Sequence, residues 1–282
     1  MGIRVAPADD PRWRYLALPG RGGGGDWAGF ALAHLEPGAA LDLPVTDLEA
    51  VVVPLRGAVA VDGAWGALAL AGRSDVWDAP GDLAYLPPAR AGGPVTRLRA
   101  GSAAVDVAVG LAPAGGGPAG PVHVRASAVA TERRGAGVTE REVRHLYEAD
   151  RPAGHLLVVE VLTPPGHWSS FPPHRHDEPR ALEEFYYCEV QPTGRLAYLH
   201  VFDDPVADGR PAGGHPVDEA VAARHGDLVL VRRGYHTAAC PPGSTLYYLN
   251  VMAGPDRSWS PTFHPAYRDL VVGWERAPLA RG

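Results

Sequence analysis

The sequence contains no lysine, so all 26 of its basic residues are arginine. Schiff-base chemistry on a lysine and a lysine general base are therefore closed to it. Cysteine is nearly absent too. The two present, Cys188 and Cys240, form no C-x-x-C pair, which argues against a disulfide framework or a cysteine-built zinc knuckle and leaves them as small buried residues. No apolar run approaches the roughly 20 residues that span a bilayer. The opening MGIRVAPADD lacks a basic stretch followed by an apolar one, so no secretory signal is read there and a cytoplasmic location is expected. Basic tracts are missing as well. With a net charge of −6, neither nucleic acid nor a membrane is an expected partner, and a small molecule is.

What is present points to β-structure. An apolar fraction of 46% over 282 residues can bury a sizeable core, and two domains are expected at this length. Proline and glycine are spread evenly between short runs such as VVVPLRGAVAV (51–61), LAYLPP (83–88), HLLVVEVL (155–162) and DLVLVRRG (227–234). Many short strands between tight turns indicate an all-β sandwich or barrel. The breaker-rich segment 112–121, APAGGGPAGP, reads as the interdomain linker. It sets an N-terminal domain over 1–115 and a C-terminal domain over 116–282.

The two halves resemble each other. LEPG (35–38), LEAVVVPLRG (48–57) and GDLAYLPPAR (81–90) in the first recur in the same order as LTPPG (162–166), LEEFYYCEV (182–190) and GDLVLVRRGYH (226–236) in the second. A duplicated β unit follows from this order. Only the second copy carries chemistry. In PPHRHDEPRALEEFYY, His174 and His176 stand two apart, so an extended strand turns both to one face. A glutamate follows at 183 or 184, and His236 closes the run GDLVLVRRGYH. Three neutral nitrogens and one carboxylate suit Zn²⁺, Mn²⁺, Fe²⁺, Co²⁺ or Ni²⁺. The first copy has Ala91 after GDLAYLPPAR and no histidine in ALDLPV (40–45). It is expected to bind no metal.

These motifs match the two cupin motifs. The wider text, EVLTPPGHWSSFPPHRHD (160–177), LEEFYY (182–187), RGYHTAACPPG (233–243) and LYYLNVMAGPDRSW (246–259), resembles the 5-deoxy-glucuronate isomerase family of bacterial myo-inositol catabolism. Its nearer kin is the 5-keto-4-deoxyuronate isomerase of pectin catabolism. The resemblance implies a bicupin of two double-stranded β-helix (jelly-roll) barrels, the first a degenerate cupin. It implies a metal-dependent aldose–ketose isomerase that converts 5-deoxy-D-glucuronate to 2-deoxy-5-keto-D-gluconate. The metal ligands carried over are His174, His176, Glu184 and His236, with zinc expected first and manganese or iron as alternatives. Arg232 departs from the proline common in cupins at that place.

Such an isomerisation needs a Lewis acid at the carbonyl and a group that moves a proton between neighbouring carbons. Candidates for the latter are Glu183, Tyr187 and Tyr247. Since lysine is missing, the substrate carboxylate calls for an arginine. Arg233 and Arg257 are the candidates, while Arg175 should face away from the site by alternation. Trp168, Ser169 and Ser170 lead into the site, with Trp168 as a substrate contact. The competing readings are an Fe²⁺ cupin dioxygenase with the same ligands and a non-enzymatic sugar-binding cupin. A homo-oligomer is compatible with either.

Overall fold

A computed structural model describes residues 3–270, apart from 22, 44–46, 90–92, 178–180, 208 and 210–216. Of the positions singled out above, residues 44 and 45, Arg90 and Ala91 lie outside the described ones.

The short Val-, Leu- and Tyr-rich runs form antiparallel strands, and the duplication is visible in how they pair. In the first half the strands Gly29–Leu35, Val105–Pro113, Leu48–Gly63 and Leu83–Leu86 are successive neighbours. Leu156–Thr163, Thr245–Ala253, Glu183–Gln191 and Asp227–Val231 adopt the same order in the second half. Each sheet is backed by another. Leu48–Gly63 continues past its first partners to pair with Gly66–Arg73 and Arg97–Ala100. In the second half, Asp218–Arg224, Leu196–Phe202, Tyr235–Ala239 and Trp168–Arg175 form the facing sheet. The fold is thus a bicupin, two antiparallel β barrels in tandem, as the resemblance implies.

The strands are apolar on both faces because each face has a core to fill. In Leu48–Gly63, Ala50 and Val52 enter the interior of the first barrel, whereas Val51, Val53 and Leu55 enter a core shared by both barrels. Phe185 and Tyr187 of the second half point into that shared core, while Tyr186, Cys188 and Val190 line their own barrel. This division follows from the two-residue period of a strand. Each large side chain so removed from water contributes about 1.5–3 kcal/mol.

A reciprocal pair of buried carboxylates joins the halves. Glu49 accepts the main-chain N–H groups of Gly154, His155 and Leu156 at 2.7, 2.6 and 2.9 Å. Glu183 accepts those of Asp26, Trp27 and Ala28 at 2.9, 2.8 and 3.0 Å. Leu48-Glu49 and Leu182-Glu183 hold the same place in the two copies, so each half caps the other by the same device. Between the two caps the rings of Trp27 and His155 meet at 4.8 Å. Glycine is needed where the carboxylate of Glu183 closes in: a Cβ on Gly25 would lie 1.9 Å from its Oε2. Three N–H donors compensate a buried carboxylate that would otherwise be costly.

Candidate metal centre

His174 lies near the end of Trp168–Arg175 and is the direct cross-strand partner of His236, on Tyr235–Ala239. His176 follows just beyond the same strand, two residues on, and its ring joins theirs. Ring centroids are 4.5 Å apart for His174 and His236, 5.0 Å for His176 and His236, and 6.0 Å for His174 and His176. One nitrogen from each ring lies within 4.8 Å of the others, and all three residues are buried. The turn before His236 is held by Asp177, whose Oδ2 accepts Gly234 N–H at 2.9 Å. Arg232, where cupins commonly have proline, donates to the carbonyl of Gly24 at 2.5 Å and so reaches into the first half.

Main-chain carbonyls orient all three imidazoles. Nδ1 of His174 faces the oxygen of Pro172 at 3.1 Å, that of His176 faces Leu182 at 2.9 Å, and that of His236 faces Gly234 at 3.2 Å. A carbonyl oxygen can only accept, so each Nδ1 carries a hydrogen and Nε2 is the atom left to face the centre. Glu184 meets this array from the facing strand, with Oε2 2.9 Å from His176 Nε2 and 3.2 Å from His236 Nε2. Such an approach of two lone-pair atoms needs a proton or a cation between them. Among the described residues, the buried Nε2 of His236 has only Glu184 beside it, without hydrogen-bond geometry. Burial pushes His174 well below the ordinary imidazole range, and its two histidine neighbours add to this. Burial would raise the Glu184 carboxyl, but His176 and His236 outweigh it and hold the group low. The array is a buried, pre-oriented donor set that could hold a metal ion, with its outer shell already in place.

A cavity opens beside these residues, lined by His174, Glu184, Ser170, Tyr186, Tyr248 and Arg141 among others. Ser170 Oγ lies 3.0 Å from the Tyr186 hydroxyl and 3.2 Å from that of Tyr248. Its backbone is left-handed, at φ 47°, a strained conformation for a non-glycine residue. Burial raises both phenols above their ordinary range, Tyr186 far above it, so both remain protonated donors.

The other expected site residues lie elsewhere. Glu183, Tyr187 and Tyr247, the expected proton carriers, point away from the cavity. Glu183 caps the first half. Tyr187 stacks on Phe30 at 5.9 Å and donates to Glu189 at 3.3 Å. Tyr247 donates to Glu160 at 2.8 Å within the shared core, where Arg73 pairs with the same carboxylate. Strand alternation is the reason: Glu184 and Tyr186 share one face, Glu183 and Tyr187 the other. Arg257 is committed to main-chain carbonyls, donating to Leu156, Arg151 and Glu148, each at 2.8 Å. Arg233 is exposed and pairs with Asp203 at 3.3 Å. Trp168 is 41% exposed, packs on Phe171 at 5.7 Å, and is not part of the cavity wall. Arg175 does face away, its guanidinium lying over the Tyr235 ring at 5.4 Å. Ser169 is buried and bonded to Thr163 at 2.7 Å. The residues missed from the sequence are Tyr186, Tyr248 and Arg141. For the tyrosines a signal existed, because the alternation that pairs His174 with His176 also pairs Glu184 with Tyr186.

Comparison with known proteins gives a consistent result. The sequence model of the KduI/IolB family matches residues 13–270. A Geobacillus kaustophilus protein named 5-deoxy-glucuronate isomerase is 38% identical over 250 residues, which is 86% of this chain and 84% of that one. A Geobacillus thermodenitrificans protein of the same name is 36% identical over 245 residues, covering 84% of this chain and 83% of the relative. Among solved structures, an IolB-like protein from Salmonella typhimurium LT2 superposes with a TM-score of 0.83 at 28% identity, over 96% of this chain and 99% of that one. The oxalate decarboxylase of Bacillus subtilis superposes with a TM-score of 0.55 at 14% identity, over 84% and 71% of the two chains. That likeness is one of fold.

Proposed function

The chain belongs to the KduI/IolB family, and from that premise we propose that it is a metal-dependent 5-deoxy-glucuronate isomerase. It would turn the aldose 5-deoxy-D-glucuronate into 2-deoxy-5-keto-D-gluconate, a step of myo-inositol degradation. The observation that carries the reading is the convergence of three buried imidazoles, two of them meeting the Glu184 carboxylate through Nε2, beside a cavity. His174, His176, Glu184 and His236 would hold one divalent cation, zinc first and manganese or iron as alternatives. All of them stand in the second half, 116–282. The first half, 1–115, serves as packing partner, and Ala50 occupies the place that corresponds to Glu184.

The reaction moves one hydrogen from C2 to C1 and one from the C2 hydroxyl to the C1 oxygen, so it needs no outside oxidant. A divalent cation at the site supplies Lewis-acid stabilisation of the negative charge that develops on the two oxygens. The chain's own residues orient the donor atoms, bind the sugar oxygens and carry the hydroxyl hydrogen. The main-chain bonds to each Nδ1 keep the imidazoles from turning, so the donor atoms need no reorganisation. Tyr186 and Tyr248 face the same cavity as protonated phenols and donate to sugar oxygens as charge appears there. Ser170 Oγ joins the two hydroxyls, and a proton can pass along this row from one oxygen to the other.

The test is incubation of metal-analysed protein with 5-deoxy-glucuronate under argon, following ketose formation. Ketose production without oxygen supports the reading. No turnover with any divalent ion, or oxygen uptake by the iron-loaded protein in place of isomerisation, overturns it.

A further inference from the structure

The strand Thr245–Ala253 lies inside the six-stranded sheet of the second half, paired on both sides. From Leu246 to Ala253 its residues are apolar or aromatic, apart from Asn250. Asparagine is depleted in strands, and a buried amide is costly unless its polar atoms are answered. Asn250 is only 3% exposed, so its place in this strand calls for a reason.

By the two-residue period of the strand, Tyr248, Asn250 and Met252 face the same way, and all three line the cavity beside His174 and Glu184. Directly across the ladder from Asn250 stands Tyr186. One bond fixes the carboxamide: the carbonyl of Phe185, 3.3 Å away, can only accept, so the end that faces it is Nδ2. Oδ1 is the other end. Among the described residues it makes no hydrogen bond, and it is not sealed in the core, so it opens on the cavity.

The phenols beside Asn250 have the complementary role. Tyr186 and Tyr248 stay protonated, are joined through Ser170, and donate, whereas the carboxamide oxygen can only accept. A sugar hydroxyl both accepts and donates. It can take a hydrogen from a phenol and give its own to Oδ1, which a methylene, an ether or a carbonyl in its place cannot do. The hydroxyls of 5-deoxy-glucuronate are at C2, C3 and C4, and the reaction itself engages the C2 oxygen. C3 and C4 remain.

We propose that Asn250 accepts the hydrogen of the C3 or C4 hydroxyl of the substrate and so selects sugars that carry a hydroxyl at that carbon. This rests on the isomerase reading above, which supplies the sugar. Asn250 is a specificity residue, acting on binding and not on the reacting carbons.

The experiment uses metal-loaded wild type and Asn250→Leu, a change that keeps the size of the side chain and removes the acceptor. KM and calorimetric binding are measured for 5-deoxy-glucuronate and for its 3,5-dideoxy and 4,5-dideoxy analogues, which keep the reacting C1 and C2. Wild type should bind one of the two analogues roughly tenfold more weakly than the parent, the scale of one hydrogen bond whose acceptor is left unmet. In Asn250→Leu the KM of the parent should rise by about the same factor, with bound metal per chain unchanged. The gap between the parent and that analogue should close to within about twofold. A packing defect would weaken all three compounds alike and leave the gap in place. A gap that persists in the variant, or a wild type that binds the parent and both analogues equally, overturns the proposal. Should Asn250→Leu fail to fold, Asn250→Ser decides by the same gap. Binding of 5-deoxy-glucuronate without turnover would sink the isomerase reading and leave the Asn250 comparison standing, whereas no binding at all would overturn both.

Discussion

Glu183 and Glu184 are adjacent in sequence, yet their carboxylates serve different barrels. Glu183 accepts three main-chain N–H groups of the first half, and Glu184 stands against His176 and His236 in the second. Removing the first should therefore damage the fold, and removing the second should damage the metal site. Glu183→Ala is expected to lower unfolding free energy by about 3–5 kcal/mol, since three main-chain donors lose their acceptor at once. It should leave bound metal per chain unchanged. Glu184→Gln is expected to abolish stoichiometric metal binding while the metal-free protein unfolds within about 1 kcal/mol of wild type, or later, because a buried charge has been removed. Denaturant titration and metal analysis on both variants would check this, and the opposite pattern would contradict it.

The tyrosines divide along the same line. Tyr186→Phe and Tyr248→Phe should each lower kcat by roughly ten- to a hundredfold, the scale of losing one positioned hydrogen-bond donor. Tyr187→Phe and Tyr247→Phe should leave kcat within about threefold and cost about 1–2 kcal/mol of stability, as a buried carboxylate loses one donor. Steady-state kinetics on the four variants separates the two pairs.

Ser170 combines a strained backbone with the hydroxyl that joins Tyr186 to Tyr248. Glycine accepts a positive φ without cost, whereas alanine does not. Ser170→Gly should therefore be at least about 1 kcal/mol more stable than Ser170→Ala, and both should lose activity to a similar degree. Thermal unfolding with parallel assays reads both effects, and equal stability of the two variants would show that no strain is held there.

A pH effect follows from His145. Burial alone would lower its ionisation, but Glu132 and Glu148 outweigh burial and raise it from 6.5 to about 9. The folded state thus holds this proton more tightly than the unfolded chain. The stabilisation is complete below about 6.5 and is lost as pH rises through about 9. The unfolding midpoint of the wild type should fall across that interval. In His145→Gln the fall should be smaller, with the variant about 1–2 kcal/mol less stable near pH 6 and similar to wild type near pH 10.

Much of the architecture is legible in the sequence because it rests on local signals. Short apolar runs between Gly and Pro mark the strands, and the repeated order of Leu-Glu and Gly-Asp segments marks the duplication, which reappears as the same strand order in both halves. The histidines are legible for the same reason: His174 and His176 share a face by spacing alone. Which tyrosine enters the cavity is harder to read, because Phe185, Tyr186 and Tyr187 are all buried and no polar alternation marks the two faces. The face of Glu184 would have settled it. Arg257 misleads because its partners are carbonyl oxygens, which leave no trace in residue type. Arg141 is hidden for a different reason. It lies far upstream of the histidines, and only the pairing of Arg141–Tyr147 with Leu156–Thr163 carries it to the cavity wall.

The account depends most on a single cation held by His174, His176, Glu184 and His236 and needed for turnover. Metal-free protein titrated with Zn²⁺ or Mn²⁺, with bound metal and 5-deoxy-glucuronate isomerisation measured on the same samples, tests this directly. Activity should rise in proportion to bound metal and level off at about one equivalent per chain, with neither binding nor activity in His174→Ala. Isomerisation by the metal-free protein, or full metal binding by His174→Ala, would contradict it.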